Sequence, residues 1–330
     1  MFLLCNYSKC ILYMDRIIPE LKGQEKSTLY IIGNGFDLYH GLKTSYPDFR
    51  DWLMSNRCGD FVTKMELLFP TLSGNDYLLW KDFEKAIGKF DCLEIHRKFF
   101  QGKDDAFYNK DIFERPVERI RSILKDIPIF LKQWLEDIDL HEAQKRLRFS
   151  WDSRYVTFNY TLLLEHLYAI PKNQVMHIHN SLDGNNLLIT GHMTQVSEYE
   201  ADNKCWGANE EESTKLIARE MNKLKKPVTQ LIKQRKDFFK SLKNISNVVV
   251  FGHSLSIIDR PYITEIQKNI QDNSCWYFIS KDDTGIAIFQ DYVKQYNSTD
   301  YYCFTGWGLT ESELYKKKMM IENCKYIKTE

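Results

Sequence analysis

Five short apolar runs, each closing on a glycine or a polar turn, constrain this chain more than anything else in its sequence. They are Leu29-Tyr30-Ile31-Ile32, Tyr155-Val156-Thr157-Phe158, Val175-Met176-His177-Ile178-His179, Val248-Val249-Val250-Phe251 and Trp276-Tyr277-Phe278-Ile279. Unbroken apolarity over four or five residues fits strands buried on both faces, as in parallel sheets. Leu187-Leu188-Ile189-Thr190 is a shorter sixth candidate. Stretches of helical period lie between the runs. Strands alternating with helices predict an α/β domain with a mostly parallel sheet.

The spacing of the runs is uneven. From Asp48 to about Arg148 nothing reads as a strand, and helical patterns dominate. One runs from Tyr77 to Phe90, with Trp80, Phe83 and Ile87 on one face. Another runs from Arg115 to Ile138, with Ile120, Ile123, Leu124, Ile127 and Leu131 on its apolar side. Pro128 sits inside the second and is expected to kink or split it. A further helical stretch spans about Glu210 to Leu242. The 330 residues then divide into an N-terminal extension, 1–26, and a single α/β domain, 27–330. The domain carries helical insertions at about 51–150 and 195–245.

Composition removes several function classes. The 45 basic residues balance 45 acidic ones, so there is no strong nucleic-acid signal. No two of the eight cysteines form C-x-x-C, which leaves no zinc-ribbon or redox motif. Scattered cysteines without a secretion signal read as reduced thiols of a cytoplasmic protein. Met1 to Tyr13 is interrupted by Asn6, Ser8 and Lys9 and lacks a signal-peptide pattern. No stretch approaches the roughly 20 apolar residues of a membrane span, so no membrane partner is expected.

The chemistry gathers where the strands end. After the first come Gly33-Asn34-Gly35-Phe36-Asp37. Glycines at a strand-to-helix turn let the backbone approach a diphosphate, whose charge meets the helix N-terminus. The turn is not a full G-x-G-x-x-G and no Walker lysine follows. The other strands run into Thr157-Phe158-Asn159-Tyr160-Thr161, His177-Ile178-His179-Asn180 and Gly252-His253-Ser254-Leu255 with Asp259. Ligands of open parallel sheets bind outside the carboxyl ends of the strands, where these four clusters would meet. Each also has a plain reading. Asn159 can cap a helix starting near Tyr160. His177 and His179 are expected to face opposite sides, so that at most one points into a given site. Gly252-His253-Ser254 can be a turn with a serine cap. His177, His179, His192 and His253 lack zinc-ligand spacing, and Gly252-His253-Ser254-Leu255 lacks the second glycine of a nucleophile elbow.

Taken together, Ile32-Gly33-Asn34-Gly35-Phe36-Asp37, Thr44-Ser45-Tyr46, Trp80-Lys81-Asp82-Phe83-Glu84, Thr157 to Thr161, His177-Ile178-His179 and Gly252 to Leu255 with Asp259 resemble the bacterial abortive-infection AbiH family. That resemblance implies a role in intracellular anti-phage defence, with a phage-derived trigger and room for a homo-oligomer. The same blocks resemble a diverged sirtuin-like fold, a Rossmann-type, mostly parallel sheet with large helical insertions. Gly33-Asn34-Gly35 is similar to the first glycine turn of that family. Gly41-Leu42 with Phe49-Arg50, Asn159-Tyr160-Thr161, His179-Asn180 and Gly252 to Leu255 are similar to its later blocks. Thr161 stands where that family has an acidic residue, Asn180 where it has a glycine, and its four-cysteine zinc module is absent.

The resemblance implies NAD as substrate or ligand, with no prosthetic group. Gly33, Asn34, Gly35, Phe36, Asp37, Thr157, Gly252, His253, Ser254 and Leu255 would then hold the nucleotide, while Asn159 and His179 would be catalytic. An NAD glycohydrolase is one expectation. A nucleotide-binding sensor or scaffold of a defence system, without catalysis of its own, is the alternative. The roles of Trp80 and Glu84 stay open between closing over the site and plain packing.

Overall fold

The five apolar runs become neighbouring strands of one sheet in the computed structural model, which describes residues 27–69, 80, 82–100, 110–147, 149, 152–184, 186–194, 208–281, 283–294, 301–305, 319–321 and 324–328. The expected extension over 1–26 lies outside the described residues, as do residues 77–79 and 81 of the first expected helix. The strands are β1 (Ser27–Ile32), β2 (Arg154–Thr157), β3 (Val175–His177), β4 (Ile245–Phe251), β5 (Cys275–Ser280), β6 (Tyr301–Thr305), β7 (Met319–Ile321) and β8 (Cys324–Lys328). Across the sheet their order is β3-β2-β1-β4-β5-β6-β8-β7. Every pairing is parallel except that of β7 with β8. The last three strands carry no pattern that was legible as strand in the sequence.

The order 3-2-1-4-5-6 is that of doubly wound dinucleotide-binding sheets. The chain builds outward from β1 in one direction and from β4 in the other. The carboxyl ends of β1 and β4 are therefore the topological switch point of the sheet. Burial explains why these two strands lie centrally. All seven residues of β4 are buried, and Leu29 to Ile32 of β1 are buried with them. Tyr30 pairs in register with Tyr155 of β2, and their rings stack at 5.3 Å. Tyr30, Ile32, Tyr155, Val249 and Phe251 join Phe36, Tyr39 and Leu42 in one apolar cluster on that face.

Along the chain the helices are α1 (Asn34–Tyr39), α2 (Tyr46–Ser55), α3 (Gly59–Leu68), α4 (Phe83–Ile87), α5 (Cys92–Phe100), α6 (Lys110–Glu136), α7 (Leu163–Tyr168), α8 (Ala208–Asn222), α9 (Val228–Gln234), α10 (Lys236–Lys240), α11 (Arg260–Asn269) and α12 (Asp283–Lys294). Residues group into two compact units. The first holds the sheet and comprises Met1–Lys43, Ile138–Asp183 and Val228–Glu330. The second comprises Thr44–Asp137 and Gly184–Pro227, and among the described residues it contains no strand.

The second unit begins with an efficient helix start. The Ser45 side chain accepts from the Asp48 N–H, the Asp48 carboxylate accepts from the Ser45 N–H, and Pro47 lies in the first turn of α2. This reciprocal bond pair satisfies two amides that a helix start would otherwise leave open. The expected split at Pro128 does not occur, because α6 runs unbroken through it. Ile120, Ile123, Leu124, Ile127, Leu131, Trp134 and Leu135 are all buried along that helix. Each such burial is worth roughly 1.5–3 kcal/mol. Together they outweigh the ~3 kcal/mol cost of an interior proline.

Two further expectations are corrected. Leu187 to Thr190 forms no strand; among the described residues nearby the ladder contact is an isolated bridge between His192 and Lys225, and a strand without a partner leaves its amides unpaired. The helical stretch expected over Glu210 to Leu242 is three helices. The first ends at Asn222 and the second starts at Val228, directly after Pro227, where the chain passes from the second unit to the first.

Candidate functional site

The four strand-end clusters lie side by side at one edge of the sheet. The ladder continues one residue past each strand. Gly33 N–H donates to Phe251 O at 3.0 Å, Phe158 N–H to Ile32 O at 2.9 Å, Ile178 N–H to Thr157 O at 3.0 Å and Gly252 N–H to Ile279 O at 3.0 Å. Asn34, Asn159, His179 and His253 follow immediately along this edge.

The glycines at this edge answer a backbone approach. Gly35 N–H donates to Gly252 O at 2.9 Å, and Phe36 N–H to Gly33 O at 2.9 Å. A Cβ on Gly33 would meet the Cα of His253 at 2.5 Å, and one on Gly252 would meet Gly35 C and Phe36 N at the same distance. Gly252 also has φ +62°, a conformation glycine adopts without cost. The two turns thus pack directly on each other, and two amides at the start of α1 are already bonded. Phe36 turns into the apolar cluster, with its ring near those of His40, Phe149, Tyr168 and Phe251.

Asp37 is the electrostatic centre of the edge, and it is buried. Its Oδ1 accepts from Asn159 Nδ2 at 2.8 Å, and its Oδ2 accepts from Thr161 Oγ1 at 2.6 Å. Burial pushes its pKa up to about 6, against the opposing pull of those two bonds and the nearby His177. Thr161 therefore serves as a donor to an acid that arrives from the β1–α1 turn. Asn159 Nδ2 also donates to Gly33 O at 3.1 Å. An amide nitrogen has two hydrogens, so both are used and Oδ1 is the group these bonds leave over.

The loop carrying Asn159 is fixed from two further sides. Asn159 N–H donates to Thr157 Oγ1 at 3.1 Å, and its carbonyl accepts from His177 Nδ1 at 3.1 Å. The other ring nitrogen of His177 lies 2.9 Å from Glu165 Oε1. Asn159 does not cap a helix: α7 begins at Leu163 with Leu162 as its cap residue and no side-chain cap. Ser254 is exposed and caps nothing either, since the cap residue of α11 is Asp259.

The opposition expected for His177 and His179 is corrected: residues two apart on a strand share a face, and here β3 ends at His177 and the chain turns before His179. His177 contacts the Asn159 loop, and His179 contacts the aromatic group beside it. The His179 ring lies 5.6 Å from Phe158, 6.4 Å from Tyr160 and 5.8 Å from Tyr262. Phe158 stands 4.2 Å from the His253 ring. His253 Nδ1 accepts from Leu255 N–H at 2.9 Å, which places the proton of the neutral ring on Nε2, 3.5 Å from Asp259 Oδ2. Leu255 itself is buried with φ +48°, so its side chain packs while its amide orients the histidine.

One cation at the edge had no sequence signal. Arg235, between α9 and α10, donates through Nη2 to the carbonyl of His177 at 3.4 Å and to Asn180 Oδ1 at 3.3 Å. Nothing local marks an arginine in a helical stretch as part of a site formed by distant strands.

Trp80 and Glu84 belong to the second unit. Trp80 is fully buried, stacks on Phe83 at 5.5 Å and donates to Glu66 Oε1 at 2.9 Å. Glu84 pairs at 2.7 Å with Lys226, whose side chain is 1% exposed. Packing and a buried ion pair account for both. His192 also lies in this unit, with Nε2 3.1 Å from Met221 O. Among the described residues no group of three or more His, Cys, Asp and Glu side chains is placed to hold a metal ion, and no helix is long and apolar enough to cross a membrane.

No curated protein and no solved structure matches the chain. The family model described as Bacteriophage abortive infection AbiH matches residues 29–280, which include every residue of the strand-end clusters, and the chain belongs to that family.

Proposed function

We propose that this protein is an abortive-infection effector that binds NAD at the carboxyl edge of its sheet and hydrolyses the nicotinamide–ribose bond. The observation that supports the reading is that Gly33, Asn159, His179 and Gly252 follow four adjacent strands at one edge of a sheet with the order 3-2-1-4-5-6. That is where such sheets take dinucleotides.

The chemistry needs little from the protein. Water oxygen bonds to the ribose C1′ while the C1′–N bond breaks, and its electron pair leaves with neutral nicotinamide. Positive charge develops on the ribose in an oxocarbenium-like transition state. Asn159 Oδ1 accepts from the attacking water or a ribose hydroxyl, with the amide plane fixed by Asp37 and Gly33. His179 takes the water proton. The fully buried Asp37 acts through Asn159 and has no direct contact with the sugar.

The test is incubation of the purified protein with NAD and NADP, with and without phage lysate, reading nicotinamide and ADP-ribose by chromatography. Turnover that disappears in His179→Gln, at an unchanged melting temperature, is the expected result. Failure to bind or cleave either dinucleotide under both conditions overturns the proposal. One observation favours a second reading, a nucleotide sensor without catalysis: the hydrogen-bonding groups of Asp37 and the Asn159 nitrogen are saturated within the protein. Tight NAD binding with no turnover would select it.

A further inference from the structure

The amides of Gly35 and Phe36 are already bonded to Gly252 O and Gly33 O, so the glycine turn offers less to a phosphate than its sequence promises. Charge for the ligand has to come from elsewhere. Arg235 is the candidate. Both acceptors of its Nη2, the His177 carbonyl and Asn180 Oδ1, are neutral. Its Nε is buried and has no hydrogen-bond partner. Among the described residues it forms no ion pair, whereas Arg50 and Arg121 each meet a glutamate at 2.8–2.9 Å.

A guanidinium does not shed its proton in a protein. Burial pushes its pKa down, and Tyr262 alone pulls it back. A partly buried guanidinium bonded only to neutral acceptors is suited to gain an anion. Nη2 spends its two hydrogens on those acceptors, which leaves the Nη1 hydrogens, engaged by no bond among the described residues, to meet a phosphate oxygen.

We propose that Arg235, seated on Asn180 and the His177 carbonyl, is an anion subsite at the end of β3 that takes a phosphate group of the nucleotide. The assignment rests on the nucleotide reading above and adds to it the group that reads the phosphate. It places the phosphate on the β3 side of the edge and leaves the crowded β1–β4 turns to the sugar.

The experiment is calorimetric titration of the intact wild type, Arg235→Lys and Arg235→Gln with inorganic pyrophosphate, ADP-ribose and phosphate-free nicotinamide riboside. A charged hydrogen-bond pair of this kind is worth about 10- to 100-fold in affinity. Arg235→Gln is expected to lose that factor for pyrophosphate and ADP-ribose and to bind the riboside within about twofold of wild type, with Arg235→Lys in between. Because the glutamine variant also loosens the His177 carbonyl, a second readout uses wild type alone: the ¹H–¹⁵N resonance of Arg235 Nε should move on adding pyrophosphate. An unmoved resonance at saturating pyrophosphate, equal affinities in wild type and Arg235→Gln, or no binding of pyrophosphate and ADP-ribose by wild type overturns the subsite. Phosphate binding through Arg235 without NAD cleavage keeps the subsite and removes the glycohydrolase. Cleavage with an unaltered KM in Arg235→Gln does the reverse.

Discussion

Replacing Asp37 by asparagine should stabilise this protein at neutral pH, against the usual outcome for a buried hydrogen-bonded acid. Below pH 3.8 the carboxyl is protonated in both folded and unfolded chains and contributes nothing to the pH dependence. Between 3.8 and about 6 the unfolded chain ionises while the folded one keeps its proton, so the folded state binds more protons and stability falls as pH rises. Above about 6 the loss is complete. At about 1.4 kcal/mol for each tenfold change in proton affinity, it amounts to ~3 kcal/mol. Asparagine removes that cost. Its Oδ1 still accepts from Asn159, and its Nδ2 donates to Thr161 Oγ1, since a hydroxyl serves either way.

The variant also forfeits a negative charge in the first turn of α1, worth roughly 0.5 kcal/mol, leaving an expected gain of about 2 kcal/mol at pH 7.5. Urea denaturation of both proteins from pH 4.5 to 8, followed by circular dichroism, measures it. The difference should be about 1 kcal/mol or less at pH 4.5, grow through pH 5–6 and then level off. A variant less stable than wild type by 1 kcal/mol or more at pH 7.5, or a difference that does not change with pH, would refute the reasoning. It would mean that the bonds from Asn159 and Thr161 outweigh burial.

Thr161→Val removes the hydroxyl donated to Asp37 and should cost about 1.5–3 kcal/mol at pH 7.5, where the acceptor is ionised, but only about 1 kcal/mol at pH 4.5; the same urea titrations distinguish the two. Gly252→Ala places a Cβ 2.5 Å from the backbone of Gly35 and Phe36 at a φ of +62°, so a loss of more than ~2 kcal/mol in unfolding free energy is expected. A melting temperature within 2 °C of wild type would show that the two turns separate freely. In the second unit, Lys226→Met strands the half-buried Glu84 and should cost about 3 kcal/mol. Adding Glu84→Gln should restore most of it, a coupling that a double-mutant cycle reads directly.

The central sheet was legible because buried parallel strands leave a signature within each run. Five unbroken apolar segments led to β1 through β5, and the turn residues after them marked the edge where the four polar clusters meet. Local sequence also announced the apolar side of α6. It left Pro128 open between a kink and a split, and the helix is not split, since the burial that outweighs a proline is summed over a helix and its neighbours. It misjudged Leu187 to Thr190 because an apolar tetrad becomes a strand only if another strand is present to receive its amides.

The site divides along the same line. The sequence by itself determined that glycines, Asn159, His179 and Gly252 to Leu255 follow strands, because turn chemistry and strand burial are local properties. Only the tertiary structure decided that Gly33 and Gly252 exist to let two backbones touch, that Asp37 is buried beneath Asn159, and that Arg235 reaches the end of β3. Those outcomes depend on which distant segments lie side by side, and desolvation and charge pairing act through space with no regard for separation along the chain.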